Sequence, residues 1–583
     1  MAVVESAQRR RAASLEELEA KGRLVVSVEG HSICLLAENG DIHAVDNRCP
    51  HMGFPLHRGT VNDGILTCHW HHARFDLCTG GTFDQWADEL RRFPVEVEDG
   101  EIYVDVTPAR DPVEHQRARL QIGLERDISL VVAKAAIVLV DADPSGVDAF
   151  REGLEFGVRR RGAGWFRGLT TLSCLMNLAP RLDEDERAAA LYHGLADVAS
   201  DSAGQEPRFA LEPLPGVETD PARLARWFRN FVEVRDSEGA ERALVSAVRA
   251  GASPEQLADM LFAAATDHRY LDGGHTLDFL NKALEALDVA GWEHAEAVLG
   301  SLPAQLAFAE RMEEANAWRN PVDLVALLED AFERVPDALA APRSAWKGRA
   351  ELVETLLSDD PAGILGALLG ALRDGAPEVE VASAVAFAAA TRIARFPTSN
   401  EFGDWDTALH TFTFANAVEQ GLRRSASAEL VRGIFDAAAS VYLDRFLNVP
   451  ATRLPKPRGG EPDQLLAGLR GLLDRQQQVD EAAQLVASYL GAGGDPDRLV
   501  AELGACLLRE DRNFHTIQSV EAAMRQHTLL RGSDEAGLPL IAAARYLAAH
   551  ASTARSQRQT YEIARRLHRG ERLYEDDPLP PAA

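Results

Sequence analysis

Two cysteines and two histidines constrain the first hundred residues more tightly than any other feature of the chain. Cys49-Pro50-His51 is followed, after sixteen residues, by Cys68-His69-Trp70-His71, a C-x-H-x16-C-x2-H pattern. With six Cys and 17 His in 583 residues, a chance match has odds on the order of 10⁻⁴ over the whole chain. Two soft thiolates and two borderline imidazoles, one of each from two short segments, make a four-ligand metal site. Zinc accepts such a set. So does an iron–sulfur cluster in which two His replace two Cys on one iron. The spacing alone leaves both open, and the flanking residues must separate them.

Those flanks read Cys-Pro-His-Met-Gly-Phe-Pro-Leu over 49–56 and Cys-His-Trp-His-His-Ala-Arg-Phe-Asp-Leu-Cys-Thr-Gly over 68–80. They resemble the two cluster loops of Rieske ferredoxins and of the Rieske domains of oxygenases, and the resemblance runs over residues 14–107. It implies a [2Fe–2S] cluster with Cys49 and Cys68 on one iron and His51 and His71 on the other. The added electron is then expected on the imidazole-bound iron, where ligand negative charge is lower.

Two departures from the respiratory kind of Rieske protein matter. There, each cluster loop carries an extra Cys and the two form a disulfide. Here Phe54 and Trp70 stand in those places, which suits a reducing compartment. High-potential relatives also place a Ser and a Tyr two and four residues after the second His ligand, as donors to sulfur. Here they are Ala73 and Phe75. Donors to sulfur stabilise the reduced cluster, so their loss predicts a potential near the low end of the Rieske range, on the order of −150 mV.

The rest of the first hundred residues reads as a small antiparallel β domain. Short Val/Ile-rich runs at 24–28, 33–37, 42–45, 65–67, 74–77, 95–98 and 102–106 are separated by turns such as Asn39-Gly40, Asn62-Asp63-Gly64 and Asp99-Gly100. Residues 1–13 read as a polar, mobile lead-in. Arg9-Arg10-Arg11 lacks the apolar segment that a twin-arginine signal needs.

After a linker at 107–112 the character changes to Ala- and Leu-rich segments of helical period, so the chain is expected to be multidomain: a small all-β domain followed by a large all-α region. Start signals include Asp220-Pro221, Ser253-Pro254-Glu255 and Asp495-Pro496-Asp497. An internal repeat is visible. Ala243–Pro254, Ala367–Pro377 and Gln484–Pro496 parallel one another, and each is followed by a helix, a loop and a His-Thr opening another helix: His275-Thr276, His410-Thr411 and His515-Thr516. Six residues beyond each His stands Asn281, Asn416 or Glu521. The all-α region is accordingly divided into 115–335, 343–450 and 463–570 as three repeats.

Whether this region carries chemistry has two readings. Asp267, His268, Asp272, His275 and Asp278, with His193, Glu313 or Glu314, His410 and His515, could supply a 2-His-1-carboxylate or dinuclear iron site. Alternatively the His-Thr pairs cap exposed N–H groups at helix starts or hydrogen-bond a neighbouring copy, and recur through duplication alone. The D-x2-H-x4-H motif of Rieske oxygenase large subunits is not evident. Nor is a GxGxxG fingerprint after a strand, so a separate reductase is expected. The basic-aromatic stretch Gly157–Arg167 reads as a docking patch or an exposed face, and Trp227–Phe231 as a helix–helix anchor.

A net charge of −29 and a pI near 5.0 argue against nucleic acid or an anionic membrane as a partner. The longest apolar run, 128–140, is broken by Lys134 and is too short to span a bilayer. The expectation is a cytoplasmic electron-transfer protein, leaning to an oxidoreductase, with a redox partner protein. It passes single electrons to that partner or to a fused helical oxidoreductase. A single-chain oxygenase or oxidase with a second metal, or a helical interaction protein with a redox-sensing cluster, are the alternatives.

Overall fold

The computed structural model describes residues 9–107, 111–216, 220–571 and 573. The described residues up to Pro144, joined by those from Gln557 on, form one compact unit, and Ser145–Ser556 form a second.

The first unit is built on ten short strands: β1 (Arg9–Ser14), β2 (Arg23–Val28), β3 (His31–Glu38), β4 (Asp41–Asp46), β5 (Thr60–Asn62), β6 (Ile65–Thr67), β7 (Arg74–Asp76), β8 (Arg92–Phe93), β9 (Val95–Glu98) and β10 (Glu101–Asp105). They form three antiparallel sheets, ordered β1-β10-β9, β2-β3-β4-β8 and β5-β6-β7. The β2–β8 sheet is the middle layer. Side chains alternate faces along a strand, and in β3 the run Ile-Cys-Leu-Leu serves both. Ile33 and Leu35 enter one core with Phe93, Ile102 and Val104. Cys34 and Leu36 enter the other with Cys49, Cys68, Leu66 and Phe75. A strand buried on both faces reads as continuous rather than alternating hydrophobicity. The β3–β4 and β5–β6 hairpins turn at Asn39-Gly40 (φ 52° and 90°) and Asp63-Gly64 (φ 50° and 73°). Positive φ at both residues is what a two-residue hairpin turn of this hand requires.

The lead-in differs from expectation over its described part, since residues 1–8 lie outside the described residues. Arg9–Ser14 is an edge strand on β10, and α1 (Leu15–Lys21) follows, capped by Ser14. Arg9 pairs with Glu96, Arg10 with Glu29, and Arg11 with Glu101 at 2.7 Å. A strand whose outward residues are all charged resists edge-to-edge pairing but carries no apolar alternation to reveal it.

Two helices beyond the linker belong to this first unit: α2 (Pro112–Arg126) and α3 (Ser129–Ala142). Asp111 caps α2 by accepting from the Val113 and Glu114 amides, with Pro112 as its first residue. The late helix Ser556–His568 joins them from Gln557 on.

Among its described residues the second unit is all helix. The start signals hold: Asp220, Ser253 and Asp495 each cap a helix through the side chain. Each repeated segment is a helix pair, a loop and a third helix, and the third helices are His275–Ala290, Phe402–Arg424 and Phe514–Leu529. Phe402–Arg424 packs against both of the others, and both of those pack on Arg167–Leu178. They are buried nearly all round, as a helix at the centre of a large bundle must be. No helix among the described residues is long and apolar enough to cross a membrane.

Candidate metal centre

Cys49 lies just after β4 and Cys68 just after β6, so two hairpin ends bring the two ligand segments together. The first loop is closed by the Cys49 amide on Phe54 O (2.9 Å) and the Gly53 amide on Cys49 O (2.7 Å). The second is closed by the Cys68 amide on Ala73 O at 2.8 Å. Both thiols are buried in the core below. Above them the His51 and His71 rings meet edge-on with centroids 4.8 Å apart. His71 is exposed and His51 half-buried, with Trp86 at 4.7 Å. The thiols are within hydrogen-bonding reach, so the pair gives up one proton readily, drawing Cys68 down, and holds the second on Cys49. Backbone amides of His51 and Met52 also point at the Cys49 sulfur, and those of Trp70 and His71 at Cys68.

The donor set fits a [2Fe–2S] group with two thiolates and two imidazoles. Among the described residues the buried Nδ1 of His51 has no partner, a costly arrangement unless that nitrogen meets a ligand. Burial above all, then the Lys134 charge, holds this imidazole down at about 4, so it is neutral and able to donate its lone pair. Ala73 and Phe75 are buried beside the thiols and bring no hydroxyl.

Residues 9–94 match the Rieske [2Fe-2S] domain family. The ferredoxin component of a naphthalene 1,2-dioxygenase system from Pseudomonas aeruginosa is 30% identical over 97 residues, 16% of this chain and 93% of that protein. The chain belongs to the Rieske [2Fe–2S] family. Apoptosis-inducing factor 3 from Homo sapiens is 38% identical over 73 residues, but the match spans only 12% of either chain. Among solved structures, the ferredoxin of carbazole 1,9a-dioxygenase from Nocardioides aromaticivorans IC177 is 25% identical, with 17% of this chain and 96% of that one covered and a TM-score of 0.16.

The Rieske domain binds a [2Fe–2S] cluster, and its first loop is held from outside the β sheets. The Lys134 ammonium on α3 donates to the carbonyls of Pro50 and His51, at 2.5 and 2.7 Å. On α2, His115, Gln116 and Arg119 converge on Asp88 at 3.0, 2.9 and 3.3 Å. Arg119 also donates to the carbonyls of Gln85 and Ala87 (2.9 Å each), so α2 fixes the segment that carries Trp86. A Cβ on Gly53 would sit 2.8 Å from Leu567 of the late helix, and His568 of that helix bonds Asp141 of α3 at 2.7 Å. In the sequence Lys134 only interrupts an apolar run, and nothing there marks its role.

The expected constellation in the helical unit separates into parts. His268 is bracketed by Glu313 (2.6 Å) and Glu233 (2.7 Å). Asp267 pairs with Arg229 and Arg432. Asp278 accepts from Gln518. Lys282 and Arg525 neutralise Glu285 and Glu521 in the bundle centre, with Asn177 and Asn281 bonding to them. Those carboxylates are saturated by cations and make an ion network rather than a metal site. His193 is buried on a different helix, Glu184–Ser202. By contrast His275, His410 and His515 come together, each with a ring nitrogen within 4.8 Å of the others. None caps its helix, because the N-caps are Gly274, Glu401 and Asn513. His410 lies two turns inside its helix rather than at the start. Of the other stretches singled out, Trp165 is buried with its indole N–H on Thr170 and Arg161 stacks on Phe166, while Phe228 is the buried anchor of its segment.

Proposed function

We propose that this chain is a ferredoxin-like electron carrier in which Cys49 and Cys68 hold one iron and His51 and His71 the other. Its Rieske domain accepts single electrons from a separate reductase and passes them to an acceptor, either another protein or the helical part of the same chain. The observation that carries this reading is the convergence of the four side chains, thiols buried, His51 Nδ1 unpartnered and His71 at the surface. The bound cluster supplies one-electron exchange. The protein supplies a path from the buried thiol side to an exposed imidazole edge. Similarity to a dioxygenase-system ferredoxin component supports a redox protein as the partner. Six free cysteines, with Phe54 and Trp70 in place of a disulfide, support a cytoplasmic setting. The absence of hydroxyls at 73 and 75 supports a potential on the order of −150 mV.

Iron and acid-labile sulfide analysis with EPR of the reduced protein tests the assignment. Cys68→Ser or His71→Cys should abolish or alter the Rieske signal, and an unchanged rhombic spectrum in either variant defeats the ligand set. A redox titration giving a value well above zero defeats the low-potential reading.

A further inference from the structure

We propose that the helical unit holds a divalent first-row transition metal, of the Fe²⁺ or Zn²⁺ kind, on His275, His410 and His515, beside a largely apolar cavity.

The three imidazoles come one from each repeated segment. The Nε2 atoms of His410 and His515 are 3.1 Å apart, and the His275 ring lies across both, with centroids at 4.3 and 5.6 Å. Three nitrogens on one tetrahedral ion at 2.0–2.1 Å are about 3.3 Å from each other. The pair already has that spacing, and with all three donor atoms within 4.8 Å the third closes by a small ring movement. No carboxylate of the described residues joins the three, so the ligand set is all-imidazole. That set suits iron, zinc, copper or nickel and not magnesium or calcium. Three protein ligands leave a fourth position open, the form catalytic sites take.

The surroundings are those of a ligand set. Asp406 faces His515 Nδ1 at 3.4 Å and is itself held by the Tyr546 hydroxyl at 2.5 Å. A carboxylate on the far nitrogen places the proton there and turns Nε2 toward a metal. The chain enters the His275 helix through Tyr270, Asp272, Gly273 and Gly274, all left-handed (φ 48°, 51°, 61° and 98°). A bulky residue such as Tyr at positive φ is strained. Asp272 pins the turn by accepting from the Glu310 amide (2.7 Å) and the Thr276 hydroxyl (2.9 Å).

His410 also lines a cavity of about 440 Å³ whose walls are largely aromatic and aliphatic, among them Tyr270, Trp318 and Leu447. Polar residues on its wall include Asn320, Thr411, Ser440 and Asp444, the last 4% exposed and hydrogen-bonded to Thr411. A largely apolar pocket with a few polar groups is the usual form of a small-molecule site.

The test uses the full chain, freed of loosely bound metal with EDTA and titrated with Co²⁺ alone. The expected result is one equivalent bound with ligand-field absorption of nitrogen coordination, displaced by Zn²⁺, on top of an unchanged cluster spectrum. His275→Asn and His410→Asn should each weaken binding at least 100-fold, and Asp406→Asn, which leaves all three ligands in place, 10–100-fold. Far-ultraviolet circular dichroism and melting confirm that each variant is folded. Absence of stoichiometric Co²⁺ binding by the wild-type chain overturns the proposal. So does binding that both His variants retain. If both His variants are unfolded, the folded Asp406→Asn variant decides: unchanged affinity there overturns the proposal.

Discussion

The two cluster loops are alike in carrying one Cys and one His and opposite in their support. The loop of Cys49 and His51 is held by Lys134, by the α2 residues around Asp88 acting through Trp86, and by Leu567 against Gly53. The loop of Cys68 and His71 has its ties within the β domain, chiefly Cys68 to Ala73 and His69 to Thr60 at 3.3 Å. His69, Trp70, His71 and His72 are all exposed. The difference teaches that one imidazole is anchored and the other presented: the first loop sets the geometry, and the second meets the outside.

This contrast can be broken most severely at Gly53. Its φ of 79° and the Leu567 contact mean that Gly53→Val combines left-handed strain with overpacking, costing about 3 kcal/mol or more. Leu567→Ala should recover part of that cost in the double variant, read by thermal unfolding followed at the cluster absorbance. Additivity of the two substitutions would show that the late helix does not support the first loop. Next, Lys134→Met strips two carbonyls of their donor and should cost about 2 kcal/mol in denaturant unfolding. An unchanged midpoint would remove α3 from the comparison.

Asp88 gives a pH-dependent test. Burial pushes its carboxyl up, but the hydrogen bond from His115 and the Arg119 charge outweigh it and hold the group at about 2. A folded value below the unfolded one contributes stability that is full above about pH 4 and lost as pH falls toward 2, about 2 kcal/mol in all. His115, whose partner raises it, contributes with the opposite sign. Its part is full below its unfolded value and lost as pH rises through the higher folded one. Asp88→Asn should flatten both limbs of the stability profile, and a profile that keeps its acid slope would refute the assignment. The smallest effect belongs to the presented loop. Trp70 packs at a tilt against His71 (ring centroids 3.9 Å, planes 48° apart) but is 39% exposed, so Trp70→Ala should cost under about 1 kcal/mol while changing the rate of electron exchange with a redox partner. A large stability loss there would erase the distinction between the loops.

How much of this was legible in the sequence depends on what each signal encodes. The ligand spacing and the Asn-Gly and Asp-Gly turns are local chemistry, and they located the cluster loops and most strands. The helix caps were legible for the same reason. β1 was hidden because its partners Glu96, Glu98 and Glu101 lie some ninety residues away. Lys134 looks like a flaw in an apolar run until α3 is folded against Pro50 and His51. The repeat pointed to His275, His410 and His515 together; they do not cap their helices, but His410 and His515 do bond between copies, and only the packed bundle shows three helices aiming their rings at one point. The carboxylate expected as a neighbour, Asp278, turned instead to Gln518.

The late helix has a consequence in time. The segment 145–556 lies between α3 and the return of the chain to the first unit, 412 residues counted from 145 through 556. At about 5–20 residues per second, a ribosome needs roughly 20–80 seconds to make that stretch. During that interval the β sheets and the two thiols already exist, but nothing yet covers Gly53. The first loop therefore gains its packing against Leu567 only when the last part of the described chain has been made.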